Sequence, residues 1–266
     1  MQQASKLNAD VSVIHDFAEV PGIGFLPVNA FVLHAEQPLV VDTGLSVPDR
    51  NFVERLADVI DPADVRWIFL THPDKDHTGG LFDLLEAAPN AQLITTFVGV
   101  GIMSTEVQPP LPRVYLLNPG QSLSLGDRTI TAFRPPLFDN AATVGFFDNS
   151  NGTMFSSDCF GAPMESEEAA LSDDVSIVGD DLAQRQRLWT SVDSPWVSTA
   201  DPVRFDASLE PIRRFDPSLI LSTHLPPAAG RTAEFLQTAS QAPGIDPFVG
   251  PDQAALLELL KQFEPA

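Results

Sequence analysis

An α/β fold is predicted for this chain by three observations. In its first half, short apolar runs alternate with stretches of helical period. Turn residues fall between these runs. The 266 residues also pass without a linker or an internal repeat, so one large domain spanning residues 1–266 is expected.

The elements follow in order. Residues 11–17, 25–34 and 38–41 are short apolar or alternating runs, separated by Pro21-Gly22 and by Glu36-Gln37-Pro38, and read as strands. The third ends in Val40-Val41-Asp42-Thr43-Gly44, a buried strand entering a turn. A helix is predicted over 48–60, where Val53, Leu56, Val59 and Ile60 share one face. A strand over 66–70 then delivers the chain into Thr71-His72-Pro73-Asp74-Lys75-Asp76-His77-Thr78-Gly79-Gly80. A helix over 81–87 and a strand over 92–96 come next. Residues 108–119 are proline-rich without a period and read as a loop or irregular edge. Strand character returns over 128–133, and runs at 144–147 and 153–156 flank Asp148-Asn149-Ser150-Asn151-Gly152, a hairpin turn. The acidic stretch 164–181 reads as a surface excursion or mobile lid. Helices over 181–192 and 207–215, a strand over 219–222 ending at His224, and a helix over 252–263 complete the chain.

Composition narrows the function. Fifteen basic residues against 36 acidic ones give a formal charge of −21, spread along the chain. Such a field repels phosphate backbones and anionic lipid, which argues against nucleic-acid and membrane partners. The single cysteine, Cys159, excludes an intramolecular disulfide and a cysteine-based zinc site. The N-terminus has no apolar run, and no segment approaches the roughly 20 apolar residues that cross a bilayer. A soluble, cytoplasmic protein is expected, and a homodimer would be unremarkable. Gly22-x-Gly24 and Gly99-x-Gly101 are isolated pairs, so no nucleotide-binding loop is predicted.

The chemistry concentrates at His72, Asp74, Asp76 and His77, two imidazoles and two carboxylates in one loop past a buried strand. Carboxylates this close repel one another and are costly to desolvate, and a bound cation reverses that cost. A solvated acidic turn is the simpler reading of four isolated residues. Their position beyond a strand's carboxyl end, where α/β sheets present ligands, favours a metal. Two distant segments have the same shape. Thr153-Met154-Phe155-Ser156-Ser157 delivers Asp158, and Leu219-Ile220-Leu221-Ser222-Thr223 delivers His224. Singly, these are a turn aspartate and a surface histidine; with the first cluster, they read as ligands. Cys159, beside Asp158, reads as a core residue ahead of a redox reporter.

In the order of these motifs, Val41-Asp42-Thr43-Gly44, His-x-Asp-x-Asp-His, Ser-x-Asp158 and Ser-Thr-His224, the chain resembles the metallo-β-lactamase superfamily over nearly its whole length. The resemblance implies a four-layer αββα sandwich within the α+β and α/β classes, and two metal ions. It implies that His72 and Asp74 bind one metal and Asp76 and His77 the other. Asp158 would bridge them, His224 would complete the second site, and Asp42 would support the site by hydrogen bonding. Asp76 and Asp158 are the catalytic candidates.

Two departures from the usual pattern bear on the metal. Zinc hydrolases of the superfamily read His-x-His-x-Asp-His, whereas Asp74 stands at the middle position here. That carboxylate, with Ala88-Pro89-Asn90-Ala91 downstream, is similar to the oxygen-binding diiron and flavodiiron branch. A harder, more anionic site favours iron or manganese over zinc. The family's third histidine, some twenty residues before the bridging aspartate, is also missing. Asp139 is the substitute; Phe138 at that position would leave one metal undercoordinated.

Three functions are in competition. The first is a nonhaem diiron protein that binds or activates dioxygen or a related small oxidant, drawing electrons from a separate donor because no flavodoxin-like segment is seen. The second is a metal-dependent hydrolase of an ester, lactone or phosphodiester. The third is a non-catalytic binding or sensing member. Residues 104–117 and 164–201 are expected to form the loops over the site that select a small-molecule substrate.

Overall fold

The computed structural model describes residues 4–47 and 50–261. Strand-forming β-branched and aromatic residues build two main sheets. The first runs, edge to edge, Ala4–Lys6, Val11–Ile14, Ala30–Leu33, Leu39–Val41, Trp67–Phe69, Gln92–Thr95 and Val114–Leu116. The second runs Ser122–Ser124, Thr129–Phe133, Gly145–Asp148, Thr153–Phe155, Leu219–Leu221 and Ala228–Ala229.

Side chains alternate across each strand, and the alternation defines the layers. Val11, Val13, Phe31, Leu33, Leu39, Val41, Phe69 and Ile94 face Ile130, Ala132, Phe146, Phe155 and Leu221 between the sheets. The intervening residues Val32, Val40, Ile68 and Leu93 face outward instead. They pack with Phe52, Leu56, Leu81 and Leu84 from helices Phe52–Ala57 and Leu81–Ala87. On the far side, Phe133, Phe147, Met154 and Ile220 pack with Leu182, Phe205, Ile212 and Phe235. Helix, sheet, sheet, helix: the four layers are present. Among the described residues, no helix is long and apolar enough to cross a membrane.

The chain departs from the sequence reading in several places. The strand expected over 11–17 stops at Ile14, and Phe17–Val20 pairs with Gly24–Pro27 in a separate hairpin. The cause is polar: Asp16 is buried and held by Arg50 and Arg55, which turns the chain out of the sheet. The run 25–34 is likewise divided, at buried Asn29, whose amide donates to Leu225 O (2.8 Å). The helix expected over 48–60 is Phe52–Ala57, capped by Asn51; residues 48 and 49 lie outside the described residues.

Phe97–Met103 is a helix that includes Gly99 and Gly101, and Val114–Leu116 forms the sheet edge inside the proline-rich stretch. The helix expected over 207–215 is two, Pro202–Ser208 and Glu210–Phe215, because Pro211 has no N–H to continue the ladder. The stretch 164–181 is more than a surface excursion, since Met164, Ala170 and Val175 are buried in the outer core. The last helix is described over Gln253–Lys261, and residues 262 and 263 of the expected one fall outside the described residues.

Four strands point the same way toward one rim. Leu39–Val41 is parallel to Trp67–Phe69, and Thr153–Phe155 is parallel to Leu219–Leu221. Their carboxyl ends release Asp42, Thr71-His72, Ser157-Asp158 and Thr223-His224 into the cleft between the sheets.

Candidate metal centre

Asp42 organises the floor. It is buried with a φ of 55°, a conformation that few residues with a side chain adopt without a compensating reason. Its carboxylate accepts four hydrogen bonds: from Thr71 N (2.8 Å), Thr71 Oγ1 (2.8 Å), His77 Nδ1 (2.9 Å) and Thr223 Oγ1 (3.4 Å). A second lock lies in the backbone, where Thr43 N donates to His77 O and Gly79 N to Gly44 O, both at 2.8 Å. A side chain on Gly79 would meet Leu45 C at 2.2 Å and Gly44 O at 2.5 Å. The two turns can nest only if that position is glycine.

These bonds orient the imidazoles. Because a carboxylate and a carbonyl only accept, His77 Nδ1 carries the proton given to Asp42, and His224 Nδ1 carries the one given to Pro27 O (2.7 Å). Thr71 Oγ1 spends its proton on Asp42, so His72 Nδ1 donates to the hydroxyl oxygens of Ser157 (3.2 Å) and Thr71 (3.3 Å). All three rings therefore present Nε2 to the cleft, the arrangement in which a partner on one nitrogen readies the other for a metal.

The carboxylates meet those nitrogens. Asp158 Oδ2 lies 3.3 Å from His72 Nε2, while its Oδ1 lies 3.1 Å from His77 Nε2 and 3.3 Å from His224 Nε2. Asp74 and Asp139 each stand 3.6 Å from His72 Nε2. Asp76 stands 3.3 Å from His224 Nε2 and 3.6 Å from His77 Nε2. Asp74 occupies the N-cap position of helix Lys75–Thr78 but does not cap it; its Oδ1 accepts from Asn140 Nδ2 (2.8 Å) instead. Phe138 turns away, its ring 4.9 Å from that of Trp196.

Ligand atoms lie within 4.8 Å of one another in the groups His72–His77–Asp158, Asp76–His77–His224 and His72–Asp74–Asp139. The residues singled out from the sequence thus converge, although 152 positions separate the first from the last. His77 Nε2 and Asp158 Oδ1 are fully buried, and outside the cluster itself neither has a hydrogen-bond partner. Polar atoms are rarely left so in a packed interior. This donor set, imidazole nitrogens facing acids with no partner of their own, fits divalent cations.

Protonation shifts describe the same charge imbalance in the metal-free chain. Burial pulls His224 downward, but the Asp158 and Asp76 carboxylates outweigh it and raise it to about 10. His77 is raised well above its ordinary value, the carboxylates of Asp158, Asp42 and Asp76 overcoming its burial. Against the cost of burial, the three imidazoles hold Asp158 well below the usual carboxylate range. Asp139 moves the other way, to about 6, through burial and the Asp158 charge.

Sequence reasoning missed Asp193. It ends helix Leu182–Asp193, and its carboxylate lies within 4.8 Å of those of Asp139 and Asp158. Burial and these two charges raise it to about 8. Nothing local marks it, because it reaches the cleft only through packing of its helix on the second sheet. Cys159 is buried in the outer core, and burial pushes its thiol up, so it behaves as a small apolar residue.

Residues 23–224 match the family model of the metallo-beta-lactamase superfamily, and the chain belongs to that superfamily. Within it, the chain is similar to proteins of the flavodiiron type. It is 27% identical over 161 residues to a protein named as a diflavin flavoprotein from Thermosynechococcus vestitus, covering 58% of this chain and 28% of that one. It is 23% identical over 175 residues to the anaerobic nitric oxide reductase flavorubredoxin of Salmonella arizonae, covering 65% and 36%. The chain thus matches about a third of each relative's length. The rubredoxin oxygen:oxidoreductase of Desulfovibrio gigas shares the fold with a TM-score of 0.76 at 19% identity, covering 90% of this chain and 61% of that one. The flavodiiron protein of Giardia intestinalis does so with a TM-score of 0.74 at 15% identity, covering 91% and 59%.

Proposed function

We propose that the centre holds two metal ions, iron in preference to manganese or zinc, and that the protein binds or reduces dioxygen or a related small oxidant. Asp158 carries this reading. Its two oxygens face different imidazoles, His72 on one side and His77 with His224 on the other, which is the placement of a bridging carboxylate. His72, Asp74 and Asp139 would hold one ion, and Asp76, His77 and His224 the other. Two iron ions would supply paired one-electron chemistry. The many carboxylates favour a hard, redox-active metal over zinc. The relatives named as an oxygen oxidoreductase and a nitric oxide reductase support the same class of reaction.

The chain's own residues would do the rest. Asp42 and Pro27 hold the protons of His77 and His224 on Nδ1, keeping each Nε2 free. Ser157 and Thr71 do this for His72. Asp76 and Asp158 would be the catalytic residues, Asp158 standing within reach of all three imidazoles and Asp76 of His77 and His224. Reduction would draw on an electron donor.

The test is composition and turnover together. Natively loaded protein is expected to contain two iron ions per chain, to absorb as yellow-brown ferric iron, and to consume dioxygen when chemically reduced. A colourless zinc protein that cleaves generic esters or phosphodiesters would replace this reading with the hydrolytic one. Metal content well below one ion per chain after metal-supplemented expression would replace it with a binding or sensing role.

A further inference from the structure

Beside the metal centre lies a second feature that the metal chemistry does not use. A cavity of about 1090 Å³ opens between strands Thr129–Phe133 and Gly145–Asp148 and helix Pro202–Ser208. Phe133, Phe147, Phe205 and Trp196 give it apolar walls, and its volume suits a small organic molecule. It shares a wall with the carboxylate cluster: Phe138 lines the cavity while Asp139, the next residue, faces His72. Trp196 closes that wall by donating from Nε1 to Phe138 O (2.7 Å).

The cavity's charges are unusual for this molecule. Arg134 and Arg204 both line it. Every other arginine of the chain has its guanidinium hydrogen-bonded to a carboxylate, a side-chain amide or a backbone carbonyl. These two have no such acceptor among the described residues. Arg134 lies over the Phe138 ring at 5.2 Å, with Nη1 fully buried and unpartnered. Burial alone lowers its pKa, with no carboxylate opposing the shift. In a chain of charge −21, two guanidinia without an acid partner in one cavity are the exception. Asp201 also lines the wall, so two positive charges stand against one negative, the balance for a monoanion.

We infer that this cavity binds a small monocarboxylate with an aromatic or otherwise apolar body. The carboxylate is the acceptor that both guanidinia lack, and the planar fork of Arg134 matches its geometry. The body replaces water against the phenylalanine and tryptophan walls. The site abuts the metal centre without using a metal, so it stands apart from the two-metal reading.

The metal-loaded chain is titrated by calorimetry with 2-naphthoate and with its neutral counterpart 2-naphthamide. The acid is expected to bind at least about tenfold more tightly than the amide, the worth of a charge-assisted hydrogen bond. Arg134→Gln is expected to erase that preference. Arg204→Gln, on an exposed helix surface, is expected to reduce it without disturbing the fold. Stripping the metal with a chelator is expected to leave the preference intact, which separates failure of this inference from failure of the two-metal reading. Equal affinity for acid and amide, binding of neither, or an unchanged preference in both variants would overturn it.

Discussion

At the scale of single residues, three imidazoles meet the carboxylates of Asp74, Asp76, Asp139 and Asp158, and we propose that bound cations neutralise the excess of acid. Removing Asp158 takes away the group that touches all three imidazoles. His72→Ala combined with Asp158→Ala is therefore expected to abolish metal loading, measured as metal per chain by plasma emission. Unchanged stoichiometry would refute the ligand set. Asp42 acts one step back, through His77 and Thr71. Asp42→Asn is expected to weaken metal affinity by roughly 10–100-fold in chelator competition while the site still forms, the usual effect of losing a group that orients a ligand.

Protonation gives a second test at this scale. The folded-state value of His224, about 10, exceeds the ~6.5 of an unfolded imidazole. Its contribution to the metal-free fold is fully present below that unfolded value and is lost as pH rises toward the folded one. The Tm of metal-free protein is expected to fall across this window, and metal loading is expected to abolish the dependence. A flat metal-free profile would contradict the charge pairing drawn here.

Legibility at the residue scale followed position along the chain. His72, Asp74, Asp76 and His77 stand together in sequence, and Asp158 and His224 each follow a strand, so local pattern reached them all. Asp193 was invisible because it ends a helix whose docking decides where it points. Phe138 and Asp139 were left as alternatives by the sequence. In the structure Asp139 faces His72 and Phe138 packs at a tilt against Trp196, because the chain alternates sides as it leaves the second sheet.

At the scale of elements, periodicity did best where one pattern dominated. The helix Leu81–Ala87 matches its expected bounds, since Leu81, Leu84 and Leu85 give an unbroken buried face. Phe97–Met103 escaped because two glycines and a nearly uniform apolar run hide any helical face. Thr232–Ser240 was missed although Thr232, Phe235 and Ala239 are spaced for one buried face. Two elements carry predictions. Gly79→Ala forces a methyl into Leu45 and Gly44 backbone, which cannot yield as a side chain would, and is expected to cost about 3 kcal/mol in denaturant unfolding. Phe146→Ala empties the space between the sheets, where Phe146 stacks on Phe155 at 4.4 Å, and is expected to cost about 3–5 kcal/mol. A loss below about 1 kcal/mol in the latter would mean the sheets do not meet there as described.

At the scale of the whole molecule, two sheets of mixed direction bring four carboxyl strand ends to one rim, and that convergence makes distant residues a single site. The layering was legible only through the resemblance to a known superfamily, because alternation within a strand does not say which sheet it faces. With a formal charge of −21, the molecule is expected to draw cations and repel phosphate polymers. Whether Asp158 joins two metal ions can be decided by anomalous scattering at the iron, manganese and zinc edges from a crystal of natively loaded protein. The expected result is two iron peaks flanking Asp158, one within coordinating reach of His72, Asp74 and Asp139, the other of Asp76, His77 and His224. Peaks that leave Asp158 uncoordinated, a signal at the zinc edge alone, or no anomalous peak in the cleft would contradict it.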